Sequence, residues 1–291
     1  MTVTQIPHAP TFDRCRTCSV RHLGFCSWFD RGQDHGPDIA VRARQTRFAA
    51  GVPILDQGEP AGRVGIILSG LVKIVMIDED GEEHLIQLLH AGQMVGDPFM
   101  AEAACSWQAA TDCELCWIAS GTLTAALRDC PEAYRSQLEA TMRLVQEQRF
   151  AQIALRGRNS LQRLAHWLFL QVPAEATVAP VRLRILLTRR DVASLLGMTV
   201  ETLCRALHQL EERGAIRLPA PDQVDLADRT LLRRLGRGRD DQLHQTLLKD
   251  GWEWGARPMG AGLVTPLVPR NPTVPETAIR LTRLNGGRRV S

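Results

Sequence analysis

Between Arg47 and Cys130, glycines recur at positions 51, 58, 62, 70, 81, 92 and 96, and the apolar runs they separate are too short for helices. Three of those runs are "VGIIL", "LVKIVMI" and "HLIQLL". Glycine supplies the left-handed conformations of tight turns and weakens a helix interior. The segment is therefore limited to short strands joined by turns. The run Val72-Lys73-Ile74-Val75-Met76-Ile77 is rich in β-formers and is followed by Asp78-Glu79-Asp80-Gly81. An apolar run ending on such a turn predicts a hairpin. Several strands at this spacing predict an antiparallel roll or barrel.

The pattern changes at Pro131. No second proline and no glycine occurs until Gly157. Proline suits a first helical turn, and Leu138, Met142, Val145 and Ile153 fall near one stripe. A helix of about 25 residues is predicted, longer than one small domain requires. A linker or dimer helix explains that length, with those four residues as the candidate dimer interface. A second helical stretch, "SLQRLAHWLFLQ", precedes a loop at Val172 to Pro180. In "LTRRDVASLLGMTVETLCRALHQLEERGAI", Thr188 caps one helix with Asp191 in its first turn. Leu195-Leu196-Gly197-Met198 ends that helix, and Thr199 caps the next. Helix, glycine-containing turn, helix is the helix-turn-helix pattern. "AIRLP" and "QVDL", around the turn "APD", are the strands of a wing.

The predicted organisation is a cysteine segment at 1–36, a β-roll at 37–130 and a dimerisation helix at 131–158. A winged helix-turn-helix at 159–235 and a disordered tail at 236–291 complete it. The tail holds eight glycines and five prolines in 56 residues, a composition that buries little. The fold class is α+β: an antiparallel jelly-roll-like β-roll, a long helix and a C-terminal winged helix-turn-helix.

Net charge is only +3, so nucleic-acid binding has to rest on a local patch rather than on bulk basicity. No apolar run approaches the roughly 18 residues of a membrane span, and the first residues lack a signal-peptide pattern. A cytoplasmic location without membrane contact is expected. Eight cysteines in a reducing compartment point to metal ligation or redox chemistry rather than disulfides. Three of them fall within "CRTCSVRHLGFC", Cys15 to Cys26. By spacing alone Cys15, Cys18 and Cys26 could ligate an iron–sulfur cluster, or zinc with His22 or His35. The chain has no nucleotide-binding glycine loop, no H-E-x-x-H and no Ser/His/Asp set on a suitable scaffold, so an enzyme is not expected.

Cysteine segment, roll, long helix and winged helix-turn-helix, in that order, resemble the CRP/FNR superfamily of bacterial transcription regulators. Three stretches carry the resemblance. "GVPILDQGEPAGRVGIILSGLVKIVMIDEDGEEHLIQLLHAGQMVG" resembles the effector domain, and "LTRRDVASLLGMTVETLCRAL" the DNA-reading motif. "CRTCSVRHLGFC" resembles the C-x2-C-x7-C segment of the FnrL/FnrN-like subgroup of the FNR branch.

The resemblance implies an oxygen-responsive homodimer that binds a palindromic operator in double-stranded DNA, with RNA polymerase as a further partner. It implies a [4Fe-4S] cluster on Cys15, Cys18, Cys26 and a distant fourth cysteine on the roll. Cys116 matches that place, with Cys113 as its rival. Residues three apart in a strand face opposite sides, so only one of the two can point at the cluster. Cys105 and Cys130 are expected to be small buried hydrophobes. A mid-helix charge in the family weakens the apo dimer; here Gln148 takes that place, beside Glu147. An alternative is a cluster-free regulator that senses through zinc or thiol oxidation.

In the DNA-reading motif, Glu201 can accept from cytosine N4, and Arg205, one turn on, can bind guanine O6 and N7. Cys204 stands where the family has a thymine-contacting serine. Thr188, Arg189 and Thr199 are candidates for phosphate contacts. Half-sites resembling TTGAT and ATCAA are implied. No arginine lies between Arg63 and Arg128 to pair a cyclic nucleotide's phosphate, so no nucleotide effector is expected.

Overall fold

The computed structural model describes residues 3–5, 15, 17–31, 43–81, 83–172, 181–238 and 264–266. The roll is two antiparallel sheets. One has the order β1-β2-β9-β4-β7. Its strands are β1 (Val3–Gln5), β2 (Arg44–Phe48), β4 (Arg63–Ser69), β7 (Met94–Val95) and β9 (Cys113–Ala119). The other, ordered β3-β8-β5-β6, is built from β3 (Pro53–Leu55), β5 (Val72–Ile77), β6 (Glu83–Leu89) and β8 (Ser106–Ala109). The predicted hairpin forms: β5 pairs with β6 around a turn in which Gly81 takes φ +79° and the Asp78 carboxylate accepts the Asp80 amide.

Strand alternation divides the roll's apolar residues between two cores. Phe48, Ile67, Val72, Trp107, Leu115 and Trp117 fill the space between the sheets. Val64, Ile66 and Ile118 point the other way and bury themselves beneath the N-terminal segment. Gly65 lies between these sets; a Cβ there would sit 2.8 Å from the Leu115 side chain, so glycine lets Leu115 and Trp117 pack across β4 without a shift.

The cysteine segment is more than a ligand loop. It carries a 3-10 helix, Gly24–Arg31, and its Val20, Phe25 and Trp28 are fully buried core residues. Its main chain is wedged against the roll at one point. A Cβ on Gly24 would collide with the Gly92 carbonyl, and one on Gly92 would meet Leu23.

A short helix absent from the sequence reading, α1 (Ser120–Asp129), closes the roll. The chain then breaks at Cys130 and enters α2 (Pro131–Leu155), with Pro131 in its first turn as predicted. One face of α2 is covered. Ala133 and Ser136 are buried, and the Ser27 hydroxyl donates to that of Ser136 at 3.3 Å. The opposite face is bare: Tyr134, Leu138, Met142 and Val145 are 58, 50, 46 and 38% exposed, while Ile153 is half-buried.

Arg156 to Asn159 leads into α3 (Ser160–Leu170), which opens on a capping box between Asn159 and Gln162. The head then adds α4 (Arg189–Leu195), α5 (Val200–Glu212) and α6 (Arg229–Leu235). Its sheet has the order β11-β12-β10-β13, made of β10 (Val181–Ile185), β11 (Ile216–Ala220), β12 (Gln223–Leu226) and β13 (Val264–Pro266). The wing strands β11 and β12 lie where the sequence put them; β10 was not foreseen. Strand β13 corrects the expectation for the tail at one place. Residues 264–266, inside the stretch expected to be disordered, pair antiparallel with β10. Pro266 is tolerated because β13 is an edge strand, where a missing amide costs no ladder bond. Residues 239–263 and 267–291 lie outside the described residues.

Candidate metal centre and nucleic-acid interface

The four cysteines of interest come from two elements remote in sequence. Cys15 and Cys18 occupy a tight turn, closed by the Cys18 amide on the Cys15 carbonyl at 3.4 Å. Cys26 lies in the 3-10 helix. Cys116 is on the central strand β9, opposite Gln45 of β2 and Ile66 of β4. Cys18, Cys26 and Cys116 all pack against the core that holds Val20, Phe25 and Trp28. Cys113, three residues earlier on β9, is buried in the other core, between the sheets.

The electrostatics follow that grouping. Burial pushes the Cys26 thiol well above its ordinary range, and Cys116, Cys18 and Cys15 each push it further in the same direction. Cys15 is raised by burial and then by Cys18. Cys113 is raised to about 12, by burial first and Asp112 second, with no contribution from the other thiols. Neighbouring sulfurs that disfavour the thiolate form at Cys15 and Cys26 are a donor set for a cationic centre, which would reverse that penalty and release protons on binding. On donor chemistry the residues fit an iron–sulfur cluster. Among the described residues, no three of His, Cys, Asp and Glu are gathered as one bound metal ion would require. His22 is exposed, and His35 lies outside the described residues. Cys130 is buried as expected; Cys105 is only half-buried, which departs from the expectation.

At the other end, local chemistry builds the DNA-reading unit. The Thr188 hydroxyl accepts the Asp191 amide and donates to the Asp191 carboxylate at 2.6 Å, so it is engaged in capping α4. Gly197, at φ +61°, makes the turn between helices. Thr199 caps α5 by accepting the Thr202 amide at 3.2 Å. Leu203, Ala206, Leu207 and Leu210 bury one face of α5. The opposite face carries Glu201 and Arg205, whose side chains are 85 and 62% exposed and 3.4 Å apart. Cys204 is half-buried beside them. Arg189 donates to the Pro221 carbonyl at 2.6 Å, tying α4 to the tip of the wing.

Two positioning side chains gave no signal in sequence. Arg163 of α3 donates to the Leu155 and Arg158 carbonyls at the end of α2, and to the Leu196 and Gly197 carbonyls in the helix-turn-helix turn, at 3.0–3.2 Å. Lys73 of β5 forms an ion pair with Asp191 of α4 at 3.0 Å. An isolated arginine or lysine in a sequence does not disclose which distant carbonyls or carboxylates it will meet.

With this geometry in view, comparisons with known proteins place the chain in a class. The model of the family described as "Cyclic nucleotide-binding domain" matches residues 45–130, and that of "Crp-like helix-turn-helix domain" matches residues 162–235. Together they span more than half of the chain. The chain is similar to a "Probable transcriptional activator" of Rhizobium leguminosarum bv. viciae, 27% identical over 76% of this chain and 92% of that one. It is also similar to the "Transcriptional activator protein FnrL" of Cereibacter sphaeroides, 24% identical over 78% of this chain and 93% of that one. Among solved structures, FixK2 from Bradyrhizobium japonicum shares the fold with a TM-score of 0.57, at 22% identity over 67% of this chain and 98% of that one. The fold is thus that of a DNA-binding transcription regulator with a cyclic-nucleotide-binding-type roll. The chain belongs to the CRP/FNR family of transcription regulators. No helix among the described residues is long and apolar enough to cross a membrane.

Proposed function

We propose that the protein is an oxygen- or redox-responsive regulator whose homodimer binds a palindromic TTGAT/ATCAA-like operator and acts there through RNA polymerase. The observation that carries this reading is that Cys18 and Cys26 of the N-terminal segment pack in one core with Cys116, while Cys113 lies in the other, and that Cys15 is joined to Cys18 by a tight turn. These four residues would hold a [4Fe-4S] cluster. When bound, it supplies an oxygen-labile cross-link between the N-terminal segment and β9.

The chain's own residues give that link its consequences. Phe25 and Trp28 fix the 3-10 helix in the core, and Ser27 fixes it to Ser136 of α2. A change in the packing of the cysteine segment is therefore felt by the long helix. The bare stripe Leu138, Met142 and Val145 on the far face of α2 would bury itself against its copy, with Ile153 continuing the seam. The two heads would then present Glu201 and Arg205 to half-sites about one DNA turn apart, Cys204 lying against the thymine. Arg189, on exchanging the Pro221 carbonyl for a phosphate, would contact the backbone near the α4 N-terminus. The Thr188 and Thr199 hydroxyls, both occupied by capping, would serve by shaping the helix termini that face phosphates. A cyclic nucleotide has no place in this reading. No arginine falls between Arg63 and Arg128, and Arg63 itself is stacked 4.3 Å above the Trp117 ring.

The test is oxygen-free purification of wild type, Cys116→Ala and Cys113→Ala, with iron and sulfide assayed. Wild type and Cys113→Ala should be brown with about four irons per chain, and Cys116→Ala colourless. Zinc in place of iron in the wild type would replace this reading with a cluster-free sensor.

A further inference from the structure

We propose that Lys73 and the backbone amide of Leu85, both on the sensor roll, are positioning groups for DNA recognition: they clamp the first helix of the reading head. This rests on the head's DNA-reading role, and its binding test uses the half-sites proposed above.

The clamp is built by the β5–β6 hairpin. Ile74 pairs with Gln87 but Val75 pairs with Leu85, so Ile86 is an extra residue and the strand bulges. A bulge disrupts the ladder locally and turns the strand. Here the Leu85 amide donates instead to the Ser194 hydroxyl of α4, at 3.1 Å. One turn before Ser194, the Asp191 carboxylate accepts from the Lys73 ammonium at 3.0 Å and from the Thr188 hydroxyl at 2.6 Å. The Lys73 and Asp191 side chains are only 14 and 10% exposed. Leu71, Leu88 and Ala110 of the roll add apolar contact to the head's own core. The groups join two successive strands of the roll to one helix of the head, and their polar atoms satisfy one another in a part-buried interface.

The mechanical argument concerns number of attachments. Arg163, and Arg158 through the Ala154 and Gly236 carbonyls at 2.9 and 3.0 Å, hold the head to the end of α2, but attachment at that one place leaves rotation about it. The clamp is a second attachment, on a different element, and it removes that freedom. It does so without covering the reading face, since Glu201 and Arg205 stay exposed. It therefore presents the head rather than masking it. In a dimer, two heads so fixed engage both half-sites at once. Heads free to rotate offer the second half-site a lower effective concentration of its partner.

The variants are Lys73→Met, the pair Lys73→Met with Asp191→Asn, which strands no buried charge, and Ser194→Ala. Binding is compared on a duplex carrying both half-sites and on one carrying a single half-site. Binding to the full duplex should weaken about tenfold while the single half-site is bound as by wild type. Hydrogen exchange without DNA should rise at Leu85 and across Arg189–Leu195. Equal loss on both duplexes, no loss on either, or tighter binding to the full duplex would overturn the clamp. If wild type shows no preference for the two-half-site duplex, the operator proposal fails instead. Exchange then still decides, because unchanged protection at Leu85 in the doubly substituted protein rejects the clamp.

Discussion

The two ends of this molecule are constructed on opposite principles. The reading head is made of neighbours. Thr188 and Asp191, Thr199 and Thr202, and Glu201 and Arg205 meet at spacings of three or four residues, as helix geometry dictates. The cysteine end is made of strangers. Cys26 and Cys116 lie 90 positions apart and pack against one core only because β9 is central in its sheet and the N-terminal segment is buried on that sheet's outer face. A unit of the first kind keeps its chemistry wherever the head is placed. A unit of the second kind exists only while the tertiary packing holds, which suits a sensor.

The largest expected effect breaks the remote site and spares the local one. Cys116→Ala should remove cluster binding entirely while leaving the head's folding unchanged, read by iron content and by the circular dichroism of the reduced protein. Cys113→Ala should retain the cluster and lose about 1 kcal/mol of stability from a small buried cavity. If the two variants behaved alike, the division of β9 into two faces would have no functional meaning.

The next effect falls on the helix that joins the two ends. Met142→Glu places a charge in the centre of the exposed apolar stripe of α2. Because a two-fold interface repeats every substitution, the dimer should weaken by about 3 kcal/mol or more, roughly a hundredfold or greater. Sedimentation equilibrium measures this. The same charge on a face that stays in water in the working protein would leave the association constant unaltered.

A smaller loss is expected from the local unit. Arg205→Ala should cost about 1–3 kcal/mol at each half-site, with specific binding approaching the non-specific level. A quantitative gel shift against a scrambled duplex measures it. Thermal unfolding should scarcely change, because the side chain is exposed and its 3.4 Å contact to Glu201 is a surface pair. Unaltered operator preference would detach the exposed face of α5 from base recognition.

The same contrast explains what could be foreseen from sequence. Caps, turn glycines and the i,i+4 pair are local signals, so α4, α5, the wing and the β5–β6 hairpin were legible. The parity of β9 separated Cys113 from Cys116 without any structure. By contrast, Val20, Phe25 and Trp28 sit in a segment whose cysteines and polar residues conceal its apolar core. Strand β10, with alternating Arg182 and Arg184, takes its place through pairing with β12, where Arg182 pairs with Asp225 at 2.6 Å. Strand β13 depends wholly on β10 for its hydrogen bonds. The contacts of Lys73 and Arg163 required knowing which domain surfaces meet.

The smallest effect probes the seam between the two ends. Glu147 on α2 is half-buried, and its carboxylate accepts from the Gln93 amide at 3.0 Å, next to the point where Gly92 supports the cysteine segment. Burial raises its pKa from the ordinary 4.5, and the Gln93 hydrogen bond and the Arg143 charge only partly oppose this. The folded chain therefore binds this proton more tightly than the unfolded chain. The linkage makes stability highest below 4.5 and lower as pH climbs through the raised value, above which the penalty is constant. Glu147→Gln imitates the protonated form at every pH. Its melting temperature should match wild type in acid and exceed it near neutrality, the gap opening with pH. A variant less stable than wild type near neutrality would mean that the ionised carboxylate is favoured there, and that charge, rather than its removal, holds α2 to the roll.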